Sequence, residues 1–138
     1  MPQNKLILVV DDDESLREIL VEVLSGSGFS AVAVPNALDA LEHVATFGPP
    51  VLVLMDLTMP VMDGRQLLAE KRKWASLTNV PFVLLTASSG INGTELGAAE
   101  VLLKPVGIDQ LLAVARRYAG GTSGTYSAVV EPARAAKK

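Results

Sequence analysis

The sequence contains no cysteine, which excludes disulfides, thiolate metal sites and catalysis by a cysteine nucleophile. No apolar run is longer than a strand, so a membrane-spanning helix is not expected. The net charge of −3 comes without the clustered basic face that direct nucleic-acid binding needs. The first residues also lack the basic and apolar segments of a signal peptide. We therefore expect a soluble, cytoplasmic protein that binds neither membranes nor nucleic acid directly.

What the chain does contain is the alternating pattern of an α/β protein. Hydrophobic residues make up 49% of its 138 residues, enough for one domain with a buried core. Short runs rich in Val, Ile and Leu alternate with segments of helical period, which is typical of βαβ units and a parallel sheet. The predicted strands are residues 6–10, 30–34, 51–55, 82–85 and 101–103.

Four longer helices are predicted between and after these strands. They are residues 14–26, a helix from Asn36 to Gly48, one that begins at Asp63 and extends to Trp74, and residues 107–118. Asp13 is a candidate N-cap of the first helix. Apolar residues at helical spacing are expected to face the sheet, and Ile19, Leu38 and Ile108 are among them.

Four of the five predicted strands run directly into side chains that can carry chemistry. Asp11 and Asp12 follow the first strand, Asp56 the third, Thr86 the fourth and Lys104 the fifth. The carboxyl ends of parallel strands lie at one edge of the sheet, where ligands bind. The sequence therefore predicts a single site that gathers three carboxylates, a hydroxyl and an ammonium group.

The chemistry of such a site follows from its charges. Two unit charges 4 Å apart interact by roughly 4 kcal/mol at an effective dielectric near 20, so three carboxylates need a bound proton or cations among them. Oxygen ligands favour a hard ion, Mg²⁺ or Mn²⁺ over Zn²⁺. Lys104 suits a phosphoryl oxygen, and Asp56 is a carboxylate able to attack phosphorus. Together with Thr86 they would surround a transferring phosphoryl group.

Four segments, each directly after a strand, resemble the receiver domain of two-component response regulators. They are Leu-Val-Val-Asp-Asp-Asp at 8–13, Met-Asp-Leu-Thr-Met-Pro-Val-Met-Asp-Gly at 55–64, Leu-Leu-Thr-Ala at 84–87 and Leu-Lys-Pro at 103–105. The resemblance covers residues 5–119 and implies a flavodoxin-like, doubly wound sheet of five parallel strands in the order 2-1-3-4-5. We accordingly assign residues 1–119 to a receiver domain, and expect residues 120–138 to be a disordered tail or a truncated linker.

The resemblance also implies roles for individual residues. Asp56 would be the phosphoacceptor, Lys104 the partner of the phosphoryl group, and Thr86 the hydroxyl that switches toward it. The implied ligands of Mg²⁺, or alternatively Mn²⁺, are Asp11 (often through water), Asp12, Asp56 and the backbone carbonyl of Thr58. The Lys104–Pro105 bond would be cis. The implied phosphodonor is a histidine kinase or a phosphotransfer protein, and the output partner is unknown.

Two features depart from the family pattern. Val101 stands where most receivers carry an aromatic residue whose ring turns inward on activation. Only twelve residues, 88–99, connect the fourth strand to the fifth, and three of them are glycines, which disfavour a helix interior. We expect helix 4 to be shortened to a turn or two, between Thr94 and Ala98.

These departures leave two alternatives to a phosphorylation-controlled receiver. One is a receiver-like protein-binding module that works independently of phosphate, although the complete acceptor set argues against it. The other is a metal-dependent phosphatase with an aspartate nucleophile. It ranks last because Thr58 stands where such an enzyme would normally place a second aspartate as general acid. As a receiver the chain would be no conventional enzyme, but would catalyse its own phosphorylation and dephosphorylation.

Overall fold

The computed structural model describes residues 5–59 and 62–120, in which strands and helices alternate along the chain. The elements are β1 (Leu6–Val10), α1 (Glu14–Gly26), β2 (Ser30–Val34), α2 (Ala37–Phe47), β3 (Leu52–Asp56), α3 (Gly64–Lys71), β4 (Phe82–Thr86), α4 (Gly93–Leu96), β5 (Glu100–Leu103) and α5 (Ile108–Ala119). A 3₁₀ turn, Ala75–Leu77, lies between α3 and β4. The proposed tail, residues 120–138, lies outside the described residues except for Gly120.

The five strands form one parallel sheet in the order β2-β1-β3-β4-β5, which confirms the flavodoxin-like, doubly wound prediction. The register aligns the carboxyl ends, since Val10 pairs with Met55, Asp56 with Leu85, and Thr86 with Leu103. The residues that follow β1, β3 and β5 therefore leave the sheet at the same edge. No helix in the described residues is long and apolar enough to span a membrane.

Each face of the sheet carries its own layer of buried side chains. Leu8 and Val10 pack toward α2 and α3, whereas Ile7 and Val9 pack toward α1 and α5. The central strand β3 is buried at every residue. Burial on both faces explains why these strands are almost continuously apolar, because both alternating sets of side chains enter a core.

The helix bounds were predicted better than the helix faces. The first helix ends as predicted, with Asp13 as its N-cap, but α3 ends at Lys71, before Trp74. Ile19, Leu38 and Ile108, expected to face the sheet, are 54%, 50% and 58% exposed. In α2 the buried positions are instead Ala37, Ala40 and Val44. Small side chains at two of these positions let the helix lie close to the sheet, which turns the bulkier leucine outward.

The fourth helix is a single turn, as the glycine-rich connection predicts, although it begins one residue earlier than expected. Asn92 caps it by accepting a hydrogen bond from the Glu95 amide at 3.1 Å. Gly97 ends it in the left-handed conformation, with φ of 88°. A Cβ atom on Gly93 would lie only 2.7 Å from Cγ2 of Val101, so glycine is what allows this turn to pack on β5.

Candidate functional site

The acidic pair after β1 is held by a network of backbone bonds. The Asp11 amide donates to the Val34 carbonyl at 3.2 Å, and Asp11 Oδ1 accepts from the Asp13 amide at 2.9 Å. Asp13 in turn caps α1 by accepting from the Leu16 amide at 3.2 Å. Asp11 is completely buried, whereas Asp12, between two anchored residues, is exposed toward the open edge of the sheet.

Asp56 ends β3 and is 7% exposed. Its Oδ1 accepts a hydrogen bond from the Thr58 amide at 3.2 Å, which orients the carboxylate. The turn after it is fixed by the Gly64 amide, which donates to the Leu57 carbonyl at 2.8 Å. A Cβ atom on Gly64 would lie 2.9 Å from the Leu57 Cα, so the start of α3 can approach this strand end only because position 64 is glycine.

Lys104 bridges the two buried carboxylates. Its Nζ lies 3.2 Å from Oδ2 of Asp11 and 3.3 Å from Oδ2 of Asp56. Its backbone amide donates to the Thr86 carbonyl at 2.8 Å, and the Lys104–Pro105 bond is cis, as predicted. The sequence expectation that residues from β1, β3 and β5 converge is therefore confirmed in geometry.

Thr86 ends β4 beside this group and is 3% exposed. Its Oγ1 accepts a hydrogen bond from the Ser88 amide at 3.0 Å. The hydroxyl proton remains available for a second bond, because a hydroxyl group both donates and accepts. Thr86 thus stands at the junction between the acidic site and the β4–α4 connection.

The charges perturb one another in a way that fits a reactive site. Burial, followed by the charge of Asp11, raises the pKa of Asp56 above its ordinary value, against the opposing pull of the Thr58 amide and Lys104. Burial acts to lower the pKa of Lys104, but the charges of Asp11 and Asp56 and its hydrogen bonds to them outweigh burial and raise it. The ammonium therefore stays protonated and neutralises part of the negative charge.

The acidic site has the composition of a divalent-cation site. Carboxylate oxygens of Asp11, Asp12 and Asp56 all lie within 4.8 Å of one another. Three carboxylates stand beside the one ammonium of Lys104, so the site has more acidic than basic groups, a balance that favours a bound cation. An all-oxygen donor set of this kind fits Mg²⁺ or Mn²⁺. The backbone carbonyl of Thr58 as a further ligand stays a prediction.

Two residues at this edge have roles that were not predicted from the sequence. Arg17 on α1 donates from Nη1 to the Asp11 carbonyl at 2.8 Å. Gly64 permits the close approach of α3 to the strand end that carries Asp56. The available signals were an arginine one turn past the cap of α1, able to reach back to the preceding loop, and a glycine directly after the cap residue Asp63.

Comparison with known proteins gives a consistent family. Residues 7–116 match the family model described as the response regulator receiver domain. The chain is 34% identical over 119 residues to the DNA-binding transcriptional regulator NtrC of Escherichia coli (strain K12), covering 83% of this chain and 25% of that protein. It is 36% identical over 111 residues to the response regulator MprA of Mycobacterium avium (strain 104), covering 78% of this chain and 47% of that protein. The chain thus spans half or less of the length of these curated relatives.

Solved structures share the fold over nearly their whole length. The chemotaxis protein CheY4 of Vibrio cholerae superposes with a TM-score of 0.77 at 24% identity, covering 84% of this chain and 99% of that one. The receiver domain of the sensor histidine kinase PA1611 of Pseudomonas aeruginosa PAO1 has a TM-score of 0.75 at 25% identity, covering 86% and 100%. The PA1611 structure holds a magnesium ion coordinated in its active site cleft.

Proposed function

This chain belongs to the response regulator receiver domain family, and from that premise we propose that it accepts a phosphoryl group on Asp56 from a histidine kinase or a phosphotransfer protein. The observation that carries this proposal is the convergence of Asp11, Asp56 and Lys104, with the ammonium 3.2 and 3.3 Å from the two carboxylates. These groups come from three separate strand ends. Enclosing two carboxylates costs stability, so the fold itself gives no reason to bring them together.

Asp56 is the proposed nucleophile. One of its carboxylate oxygens forms a bond to phosphorus while the bond between phosphorus and the donor's leaving atom breaks, and the electron pair leaves with the donor. Its carboxylate must be ionised to attack, and both the Thr58 amide and Lys104 favour that form. Lys104 is placed to contact a phosphoryl oxygen, because its Nζ already touches the carboxylate that would carry the group.

Asp11, Asp12, Asp56 and the Thr58 carbonyl are the proposed ligands of Mg²⁺, with Mn²⁺ as an alternative. When bound, the ion supplies charge neutralisation at the phosphoryl oxygens. Support comes from the spacing of the carboxylate oxygens within 4.8 Å and from the excess of carboxylates over the ammonium of Lys104. The related PA1611 receiver holds a magnesium ion in its active site cleft, which supports the choice of ion.

Thr86 is the proposed link between phosphorylation and the rest of the molecule. Its hydroxyl would donate to a phosphoryl oxygen on Asp56, using the proton that its present bond, accepted from the Ser88 amide, leaves available. That amide begins the connection to α4, so a movement of the Thr86 hydroxyl toward the phosphoryl group would strain or break this bond and so act on the segment. Thr58 and Ser88, each two residues beyond a site residue, are the positions that we expect to tune hydrolysis of the phosphorylated form.

The second candidate is a protein-binding module that works independently of phosphate. The observation that favours it is the altered readout region, where Val101 replaces an aromatic ring and α4 is a single turn. A metal-dependent phosphatase is disfavoured, because position 58 offers a threonine where a general acid would be needed.

Phosphodonor labelling tests the proposal. Acetyl phosphate with Mg²⁺ should add the mass of one phosphoryl group to the intact chain, and Asp56→Asn should abolish the addition. Asp109→Asn, an exposed carboxylate on α5, is the matched control and should be labelled as the wild type is. No labelling of the wild type at saturating donor would favour the binding module, and continued labelling of Asp56→Asn would place the acceptor elsewhere.

A further inference from the structure

Arg17 makes a bond to the acidic loop that the phosphoryl chemistry described above does not use. It lies on α1, half-buried, with its Nη1 2.8 Å from the backbone oxygen of Asp11. Because Asp11 is completely buried, that carbonyl is shielded from water and depends on a protein donor. The guanidinium therefore satisfies an acceptor that would otherwise be left without a partner.

The bond controls one peptide plane in particular. The carbonyl of Asp11 and the amide of Asp12 belong to the same planar unit, so holding the oxygen fixes the direction in which the chain enters Asp12. Asp11 is already held at its amide by Val34 and at its carboxylate by the Asp13 amide. The Arg17 bond is the third restraint, and it acts on the side of Asp11 that leads into Asp12.

Asp12 needs such a restraint more than its neighbours do. Its side chain is exposed, whereas those of Asp11 and Asp56 are enclosed by the core and oriented by Lys104. The position of the Asp12 carboxylate is consequently set mainly by its backbone. Rotation of the preceding peptide would move this carboxylate away from the other two oxygens that it now approaches within 4.8 Å.

We propose that Arg17 is a positioning residue for the divalent-cation site: by holding the Asp11 carbonyl it aims the Asp12 carboxylate and so raises the affinity for the ion. The inference rests on the proposed function in one respect, namely that Asp12 is a metal ligand. It adds that the positively charged side chain of Arg17 favours cation binding because it positions a ligand, although its charge alone would repel the cation.

Because the two effects act in opposite directions, the direction of the change in cation affinity tests the inference. A positive charge near a cation site weakens binding by repulsion, so simple removal of the charge should tighten it. Loss of positioning should weaken it, as observed when residues that orient metal ligands are removed. Arg17→Met removes both the charge and the donors while keeping most of the apolar stem, so the direction of the change identifies the dominant effect.

The experiment is a Mn²⁺ titration of the full chain, followed by the electron paramagnetic resonance signal of free Mn²⁺. We expect Arg17→Met to bind Mn²⁺ about tenfold more weakly than the wild type. Arg116→Met is the matched control, since Arg116 is exposed in the last turn of α5, at the opposite edge of the sheet, and its affinity should be unchanged. Thermal unfolding in chelator verifies that each variant is folded.

Unchanged or tighter Mn²⁺ binding by Arg17→Met would overturn the inference. Should that variant not fold, Arg17→Gln decides by the same criterion, because its shorter side chain also removes the charge and cannot span the same distance. Failure of the proposed function has a different signature: the wild type itself would bind no Mn²⁺, or would bind it and take no phosphoryl group. Weaker binding by the Arg17 variants together with a wild-type response in Arg116→Met supports the inference.

Discussion

The two ends of the functional edge are built very differently. At β1 and β3 two of the site residues are enclosed, Asp11 at 0% and Asp56 at 7% exposure, and hydrogen bonds fix the backbone beside them. Between β4 and β5 the chain makes one helical turn in which no residue is buried. The part at β1 and β3, the rigid end, suits a reaction that needs exact placement of its groups. The connection between β4 and β5, the weakly held end, can change structure at a small cost in free energy.

A close contact between α4 and β5 bears on how this end can move. Gly93 lies so close to Val101 that even a Cβ atom would be 2.7 Å from its Cγ2. Valine is short and stiff, so it cannot swing between two positions as an aromatic ring would. Movement of Thr86 would therefore pass through Ser88 into the connection itself, because Ser88 donates its amide to the Thr86 hydroxyl.

The largest expected effect is the contrast in amide hydrogen exchange. Amides of β1, β3 and β4 should exchange only with global unfolding, whereas those of residues 88–99 should exchange by local opening, about a hundredfold faster or more. Binding of beryllofluoride with Mg²⁺ should then change exchange most within residues 88–99. Mass-spectrometric exchange of the full chain, with and without beryllofluoride, measures both.

Helix α5 is the internal reference for this measurement, because it packs on the opposite face of the sheet from Ile91 and Leu96 of the connection. If amides of residues 88–99 were as well protected from exchange as those of β1, β3 and β4 in the unliganded protein, the two ends would not differ. A response to beryllofluoride confined to α1 and α5, with none in residues 88–99, would move the search for an output surface to those helices.

The rigid end can be tested through the close approach of α3. Gly64→Ala places a methyl group 2.9 Å from the Leu57 Cα, against backbone that cannot move without shifting Asp56, and should destabilise the protein by about 3 kcal/mol. Gly26→Ala is the matched control, because nothing lies within 4 Å of its Cβ. It should be neutral or stabilising by about 0.5 kcal/mol. Urea unfolding of both variants measures this, and similar losses would contradict a specific close approach.

Much of the edge could be predicted because it depends on local patterns. Apolar runs of strand length fix where β1, β3 and β4 end, and a parallel sheet brings those ends together whatever the details of packing. The polar residues directly after the strands, Asp11 and Asp56 among them, could therefore be placed in one site. The short α4 was predictable for a similar reason, since three glycines within residues 88–99 disfavour a longer helix.

What escaped prediction depends on how elements approach one another in space. Leu38 and Ala37 are both apolar neighbours on α2, and the separation of helix and sheet decides which of them is buried. The roles of Arg17 and Gly64 arise from contacts with the loops after β1 and β3, which a helical period does not encode. These contacts come from tertiary packing, which residue patterns in a single sequence do not reveal.

A double-mutant cycle measures the contact between Gly93 and Val101 at the weakly held end. Gly93→Ala should cost about 1 kcal/mol, less than Gly64→Ala, because its neighbour is a side-chain methyl group on a one-turn helix that can shift. In a Val101→Ala background the methyl group has room, so the same change should be neutral or slightly stabilising. Unfolding free energies of the four proteins give the coupling, and additivity would mean that Gly93 and Val101 are not in contact in solution.

The smallest expected effect is the pH dependence that Asp56 confers on the metal-free protein. Burial and the charge of Asp11 raise its pKa above 3.8 in the folded state, so the folded protein holds this proton more tightly than the unfolded chain. The stability that this group contributes is therefore fully present below pH 3.8 and is lost as the pH rises through the raised pKa.

Relative to Asp56→Asn, which does not titrate, the wild type should accordingly lose stability as the pH rises across that window and then level off. The raised pKa of Lys104 adds no slope here, since its stabilising contribution is retained at all pH values below its ordinary 10.5. Urea unfolding of both proteins in chelator, from about pH 4 to pH 7, measures the difference. A difference that is constant with pH, or that favours the wild type more as the pH rises, would show that Lys104 outweighs burial at Asp56. In the absence of metal, Asp56 would then be stabilised by its ion pair with Lys104. Repulsion among the carboxylates would no longer be what favours binding of a cation.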